Sequence, residues 1–167
     1  LSITVANPQT GYSNTFDVKA NSIAEFIVPH EQGYTNDILS KSRRGLRITA
    51  TAPISLFASN FHEHTYDATI VLPVTALGTD YIAQMYESNY GAKEIAVVAT
   101  QDNTSITIIP HARTMNGLSP GDTFTFTLNV GETYLMMSSD ENGTFSGTRV
   151  QSNHPVAVFA GHQCINI

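Results

Sequence analysis

The sequence has a single cysteine, Cys164, and no tryptophan. One cysteine cannot form a disulfide within the chain, so an apolar core must hold the fold together. We expect Cys164 to be a small buried hydrophobic residue, with a partner cysteine outside this chain as the alternative.

Charge is also scarce, since only 13% of the residues are charged and the formal net charge is −6. Binding to a nucleic-acid backbone needs a basic face, so we predict no nucleic-acid partner. The basic cluster of Lys41, Arg43, Arg44 and Arg47 is interpreted as a solvated loop before a strand.

Long apolar runs and a signal peptide are absent as well. No stretch approaches the roughly 20 residues that span a bilayer, so we predict no membrane insertion. The sequence begins and ends inside strand-like runs, and we expect both ends to be cuts in a longer polypeptide.

Residues 45–60 are repeated as residues 147–162, at a constant offset of 102 positions. A second echo matches residues 2–5 with residues 105–108. An internal repeat fixes architecture, so we predict two tandem related β units, residues 1–75 (incomplete at the amino terminus) and residues 76–167. One compact, pseudo-duplicated domain remains the alternative. The residues common to both copies include Gly45, Arg47, Pro53 and Phe57, repeated as Gly147, Arg149, Pro155 and Phe159.

Short β-branched runs separated by turn residues predict an all-β, β-sandwich-like fold. Residues 95–99 and 105–109 flank a short Asp/Asn turn, which predicts a hairpin. Residues 15–19 and 23–28 predict another. We expect residues 45–60 and 147–162 to form equivalent strand pairs.

The repeated residues favour structural roles. A strand arginine usually lies along the surface or pairs with a carboxylate on a neighbouring strand, which we expect of Arg47 and Arg149. The strands that carry Phe57 and Phe159 have apolar residues on both faces. Because this pattern is typical of a central, covered strand, we predict that both phenylalanines are buried.

Common catalytic signatures, such as a phosphate-binding loop or a nucleophile elbow, are absent. The weak metal candidate is His62, His64 and Asp67, where two imidazoles on one strand face and a carboxylate have the chemistry of zinc ligands. This set supports an alternative hypothesis of a metal-dependent hydrolase, but a polar loop is favoured. We therefore predict no enzyme activity and no cofactor.

Two acceptor triplets for N-glycosylation begin at Asn103 and Asn142, both between predicted strands. An exposed turn suits a glycan, so both are glycosylation candidates.

The amino-terminal strand, residues 1–5, is the repeat counterpart of the strand that we predict to pair with residues 95–99. The sequence contains no equivalent partner for residues 1–5. Unpaired strand edges recruit other chains. We therefore predict that residues before Leu1, or a neighbouring subunit, pair with this edge, giving possible self-association by strand addition.

Four segments together resemble the N-terminal domain of IgG Fc-binding proteins: residues 72–81, 97–104, 128–134 and 147–164. That family is extracellular and occurs in mucus proteins and in bacterial surface proteins. The resemblance implies a secreted protein- or glycan-binding or adhesion module of a longer chain, with a passive structural spacer as a further alternative. It does not imply that this chain binds IgG.

Overall fold

The computed structural model describes residues 1–35, 37–62, 65–86, 91–139 and 144–163, and strands dominate it. A four-residue helix, α1 (His30–Gly33), and a 3₁₀ turn (Val74–Ala76) are the helical elements there. The prediction of an all-β fold is confirmed. The strands are β1 (Ser2–Asn7), β2 (Tyr12–Asp17), β3 (Lys41–Ser42), β4 (Arg47–Ala50), β5 (Phe57–His62), β6 (Thr65–Ile70), β7 (Asp80–Ile82), β8 (Lys93–Ala99), β9 (Thr104–Ile109), β10 (Phe124–Leu128), β11 (Thr133–Met137), β12 (Arg149–Ser152) and β13 (Val156–His162).

The carboxy-terminal part is a sandwich of two antiparallel sheets, ordered β10-β9-β12-β7 and β13-β8-β11-β3. Alternate residues of β8, including Ile95 and Val97, are fully buried. They share one apolar cluster with Ile106 and Ile108 of β9 and Val150 of β12, which belong to the other sheet. This shared core confirms the sandwich-like prediction.

The predicted hairpin of residues 95–99 and 105–109 is wrong. Both segments are strands, but β8 pairs with β11 and β13, whereas β9 pairs with β10 and β12. Asn103, at φ 55°, turns the chain from one sheet to the other. An Asp/Asn turn reverses the chain in either case, so turn residues alone do not distinguish a hairpin from a crossing between sheets.

The amino-terminal sheet, ordered β2-β1-β4, repeats the pairing of β10-β9-β12. Val5 lies opposite Ile48 in the first sheet, and Ile108 lies opposite Val150 in the second. These four residues correspond through the two sequence echoes, and the register agrees along the ladder. The echoes therefore occupy equivalent places in two sheets.

The second strands of the repeated pair differ. Residues 156–158 lie in β13, but the corresponding residues 54–56 lie outside any strand, and β5 begins at Phe57. The expected equivalence therefore holds for β4 and β12 and is wrong at the start of the next strand. The physical reason is the partner: β13 pairs with β8, whereas β5 pairs with β6.

The predicted hairpin of residues 15–19 and 23–28 is also wrong. Residues 12–17 form β2, but residues 23–28 belong to no strand. Apolar alternation produces a strand only where a neighbouring backbone completes the hydrogen bonds.

Hydrogen bonds join the two parts of the chain. β3 extends the second sheet of the sandwich by pairing with β11. The Gly45 amide donates to the carbonyl of Gly131 at 3.0 Å, and Gln9 Nε2 donates to the carbonyl of Val130 at 2.8 Å. The division of the chain at residue 75 stays a prediction.

Candidate interaction surface

Apolar side chains are distributed unevenly along the chain. Among the described residues, Val5 is the only buried hydrophobic residue before residue 76, and sixteen follow it. Conversely, twelve of the sixteen large hydrophobic side chains that are exposed lie before residue 76. Large exposed apolar patches are typical of interaction sites, so this part of the chain is where one is expected.

The β5–β6 hairpin presents an apolar face to solvent. Phe57 lies opposite Ile70, and Phe61 lies opposite Tyr66. These four side chains share one face of the hairpin because side chains alternate along a strand. Their exposed fractions are 69%, 56%, 74% and 70% in that order. We call these four residues the aromatic face.

The opposite face of the hairpin is more polar. Asn60 lies opposite Asp67, and Ala58 lies opposite Thr69. An amphipathic hairpin would normally place its apolar side against the core. Here the apolar side is exposed, and it is therefore the leading candidate for a surface that binds another molecule.

A groove of about 280 Å³ adjoins the aromatic face. It lies between the segment that follows β6 and strand β13, and it is lined mainly by apolar side chains. Tyr81 fixes its wall, because its hydroxyl accepts from the Gly78 amide at 2.6 Å and donates to the Val156 carbonyl at 2.8 Å. Ile70 belongs both to the groove and to the aromatic face, so the two surfaces are continuous. Other lining residues are Leu72, Leu77 and Phe159.

The predicted burial of Phe57 and Phe159 is wrong. Phe57 is 69% exposed and Phe159 is 39% exposed. β13 is the edge strand of its sheet. Its inward side chains, Val156 and Val158, pack in the core, while Phe159 projects outward into the groove. In β13, apolar residues on both faces therefore indicate an edge strand with a partly covered outer face, not a central strand.

The repeated glycines are required for two different reasons. A Cβ at Gly45 would lie 2.7 Å from the carbonyl oxygen of Gly131, so close backbone approach excludes a side chain. Gly147 has φ 95°, a conformation that residues other than glycine rarely adopt. Pro155 directly precedes β13, whereas its counterpart Pro53 lies in the segment that forms no strand.

Arg149 anchors the β12–β7 edge through a bidentate ion pair. Its Nε and Nη2 atoms donate to the two carboxylate oxygens of Asp80 at 2.9 and 2.6 Å. The hydrogen bond and charge of Arg149 lower the pKa of Asp80, and Asp80 raises the pKa of Arg149. Its repeat counterpart, Arg47, is exposed on β4 and forms no ion pair with any described residue.

The metal candidate gains no support in the part of the chain that the structure describes. His62 lies in β5 and Asp67 in β6, but His64 falls outside the described residues. Asp67 accepts a hydrogen bond from the amide of Ala68. The ranges that are described contain no group of three His, Cys, Asp or Glu side chains placed to hold a metal.

The structure describes one of the two glycosylation candidates. Asn103 lies in an exposed turn, where its amide donates to Asn129 Oδ1 at 3.1 Å. Asn142 and the single cysteine, Cys164, lie outside the described residues.

The prediction that a further strand pairs with residues 1–5 is wrong. β1 pairs with β2 on one side and with β4 on the other, so neither of its edges is open to a further strand.

Sequence reasoning missed the aromatic face, a buried ionisable residue and the half-buried ionisable residue beside it. Phe61 and Tyr66 could have been found from the spacing of four between apolar residues in each strand, which places them on one face. Lys93 is 1% exposed at the start of β8, and burial raises the pKa of its neighbour Glu94. Their only signal was a charged pair leading directly into an apolar run.

Comparison with known proteins gives a family. Residues 67–167, more than half of the chain, match the family model described as IgGFc binding protein. The chain belongs to the IgGFc-binding family. The matched region includes most of β6, the groove and the whole sandwich from β7 onward.

A curated relative, the human IgGFc-binding protein, is 34% identical over 116 residues. This alignment covers 66% of the present chain and 2% of the relative, so the chain spans a small part of that protein. No solved structure matches. Among the described residues, no helix is both long and apolar enough to cross a membrane.

Proposed function

We propose that this chain is an extracellular, non-enzymatic module that binds a protein partner, within a longer secreted or surface polypeptide. Membership of the IgGFc-binding family carries the proposal. The relative's name describes an IgG Fc binder, which makes Fc the first partner to test.

The aromatic face is the proposed contact surface. Exposed aromatic side chains supply large apolar contact area at low conformational cost, and they are enriched at the energetic centres of interfaces. The groove beside Phe159 continues this surface and offers a concave site for a partner side chain. Polar residues on the opposite side of the hairpin, such as Asn60 and Asp67, stay in solvent.

The test is a binding measurement with purified IgG Fc, followed by capture from solubilised mucus. A Phe61→Asn/Tyr66→Asn double variant removes two aromatic contacts from solvent-exposed positions. We expect it to weaken binding at least about tenfold, because each aromatic anchor contributes more than about 1 kcal/mol. An Asn60→Ala variant on the opposite face, outside the groove, is the matched control and should bind normally.

Other outcomes identify the alternatives. A double variant that binds as tightly as the parent chain would place the contact elsewhere. Binding to a glycan array with none to mucus proteins would make the module a glycan binder, and no binding in any assay would make it a spacer. Stoichiometric zinc that survives dialysis and is lost in a His62→Ala variant would favour the hydrolase.

A further inference from the structure

Strand β13 has an unpaired backbone edge beside the groove. In an antiparallel ladder, alternate residues direct their amide and carbonyl toward the partner strand, and the residues between them direct theirs away. The Gln163 amide donates to the Ala92 carbonyl, which extends the β8–β13 ladder. Counting back in twos along β13 from Gln163, Val158 and Ala160 direct their backbone groups away from β8. On that side neither residue forms a backbone hydrogen bond with any described residue.

The chain itself pairs with the start of this edge. The Val156 amide donates to the Gly78 carbonyl at 3.1 Å, and the Tyr81 hydroxyl donates to the Val156 carbonyl at 2.8 Å. By alternation, Val156 faces the same way as Val158 and Ala160. The first outward-facing residue of β13 is therefore paired on this side, and the next two are not.

The groove follows the unpaired part of the edge. It is lined by residues 157–159 on one side and by residues 69–72 on the other. Because consecutive residues of a strand point to opposite faces, a groove lined by three in succession runs along the edge of the strand. No charged side chain is among the described residues that line it. Its volume, about 280 Å³, is slightly below the range of roughly 300–1,000 Å³ typical of small-molecule sites, so it suits one or two side chains better than a whole ligand.

The edge of β13 also lacks the features that normally prevent strand addition. Proteins protect edge strands with charged residues, with proline or by making the strand short. Residues 157–161 contain no charged residue and no proline. By contrast, the edge strand β7 is three residues long and carries the Asp80–Arg149 ion pair, and β3 is two residues long and begins with Lys41.

We propose that an extended segment of a protein partner binds β13 as an added strand, which pairs with Val158 and Ala160 and places an apolar side chain in the groove. Strand addition obtains affinity from backbone hydrogen bonds and specificity from the pockets that receive side chains. The uncharged, apolar lining selects an apolar side chain, because a charged one would lose its hydration without gaining a partner. The inference rests on the proposed function, since it specifies which part of a protein partner the module holds.

Hydrogen exchange with synthetic peptides tests the pairing on the intact chain. The probes are uncharged seven-residue peptides that alternate threonine with valine, leucine or phenylalanine, added at millimolar concentration. Exchange of the Val158 and Ala160 amides should slow at least about tenfold, because a paired strand amide exchanges only when its ladder opens. Peptides with the same side chains but with every backbone amide N-methylated cannot donate to β13 and should cause no slowing.

A proline variant tests the same edge from the side of the protein. Ala160→Pro removes an amide that faces away from β8, and proline is tolerated where the amide of an edge strand faces outward. It should weaken peptide binding at least about tenfold and abolish the slowing at Val158. Ala160→Ser is the matched control, since it keeps the amide and should bind normally. Protection of the Ile95 and Val97 amides in both variants checks that the sandwich is folded.

Strand β10 supplies an internal control, because it is the edge strand of the other sheet. Thr127 lies opposite Ser105, whose carbonyl accepts from the Asn153 amide on the other side of β9. The Thr127 amide therefore also faces away from its sheet. The peptides should leave its exchange unchanged.

Three results would overturn the inference: no slowing at Val158 and Ala160 with any peptide, equal slowing with the methylated peptides, or equal slowing at Thr127. Fc or a mucus protein that binds Ala160→Pro as tightly as the parent chain, but binds the Phe61→Asn/Tyr66→Asn variant weakly, would overturn it and leave the proposed function intact. Peptide pairing at β13 in a chain that binds no protein would support the added strand and contradict the proposed function.

Discussion

The β2-β1-β4 sheet and the β10-β9-β12 sheet pair their strands in the same register, yet only the second forms a buried core. Val5 lies opposite Ile48 as Ile108 lies opposite Val150. Ile108 and Val150 are fully buried, whereas Val5 is 5% exposed and Ile48 is half-buried. The comparison teaches that strand sequence sets the register within a sheet, while burial depends on the sheet that packs against it.

The largest contrast is expected between a core aromatic residue and an exposed one. Phe145→Ala should lower the free energy of unfolding by about 3–5 kcal/mol, because Phe145 is fully buried. Phe57→Ala should change it by about 0.5 kcal/mol or less, since Phe57 is 69% exposed. Urea unfolding measures both, and similar losses would mean that Phe57 contributes to a core.

A second contrast uses repeat counterparts. Ile106→Ala should cost about 2–5 kcal/mol, whereas Ile3→Ala should cost about half of that or less, because Ile3 is only half-buried. Equal losses in the two variants would contradict the difference in burial.

The third prediction concerns the contact between the two halves. Gly45→Ala should destabilise the chain by about 1–3 kcal/mol, because the new Cβ would meet the Gly131 carbonyl oxygen at 2.7 Å. Gly161→Ala is the matched control in β13, where a Cβ meets nothing within 4 Å, and should stay within about 0.5 kcal/mol. A neutral Gly45→Ala variant would show that the halves move apart easily.

The smallest effect is expected at the Arg149–Asp80 pair, which is about half exposed. The pKa of Asp80 is lowered in the folded chain, so the pair stabilises the fold fully above the ordinary pKa of an aspartate. The stabilisation is lost as the pH falls through the lowered folded pKa. Arg149→Met should therefore differ from the parent at neutral pH and converge with it in acid. A constant difference in unfolding profiles across this range would assign the effect to packing.

The sequence predicted the all-β fold and the echo between β1–β4 and β9–β12, because alternation and turn residues are local signals. It did not predict which strands share a sheet, since the turn at Asn103 suits a hairpin and a crossing between sheets equally. Residues 23–28 have the alternation of a strand but no paired neighbour. Whether a segment finds a neighbouring strand depends on residues far away in the sequence.

The candidate surface was predicted less well. Phe57 and Phe159 were singled out as a repeated pair and predicted to be buried, but both are exposed, and exposure cannot be deduced from alternation alone. Alternation assigns two faces to a strand, and only the packing of other elements decides which face is covered. The edge position of β13 and the exposed face of the β5–β6 hairpin both follow from pairing over long sequence separations.

Native-state hydrogen exchange of the two equivalent ladders tests the central claim most directly. The β9–β12 ladder is enclosed in the sandwich, so its amides should exchange near the rate of global unfolding. The β1–β4 ladder has the same register, but Ile3 and Ile48 are only half-buried, so its amides should exchange at least about tenfold faster, by local opening. Equal protection of the Val5 and Ile108 ladders would contradict the account, because it would show that the difference in burial does not make the first sheet less stable.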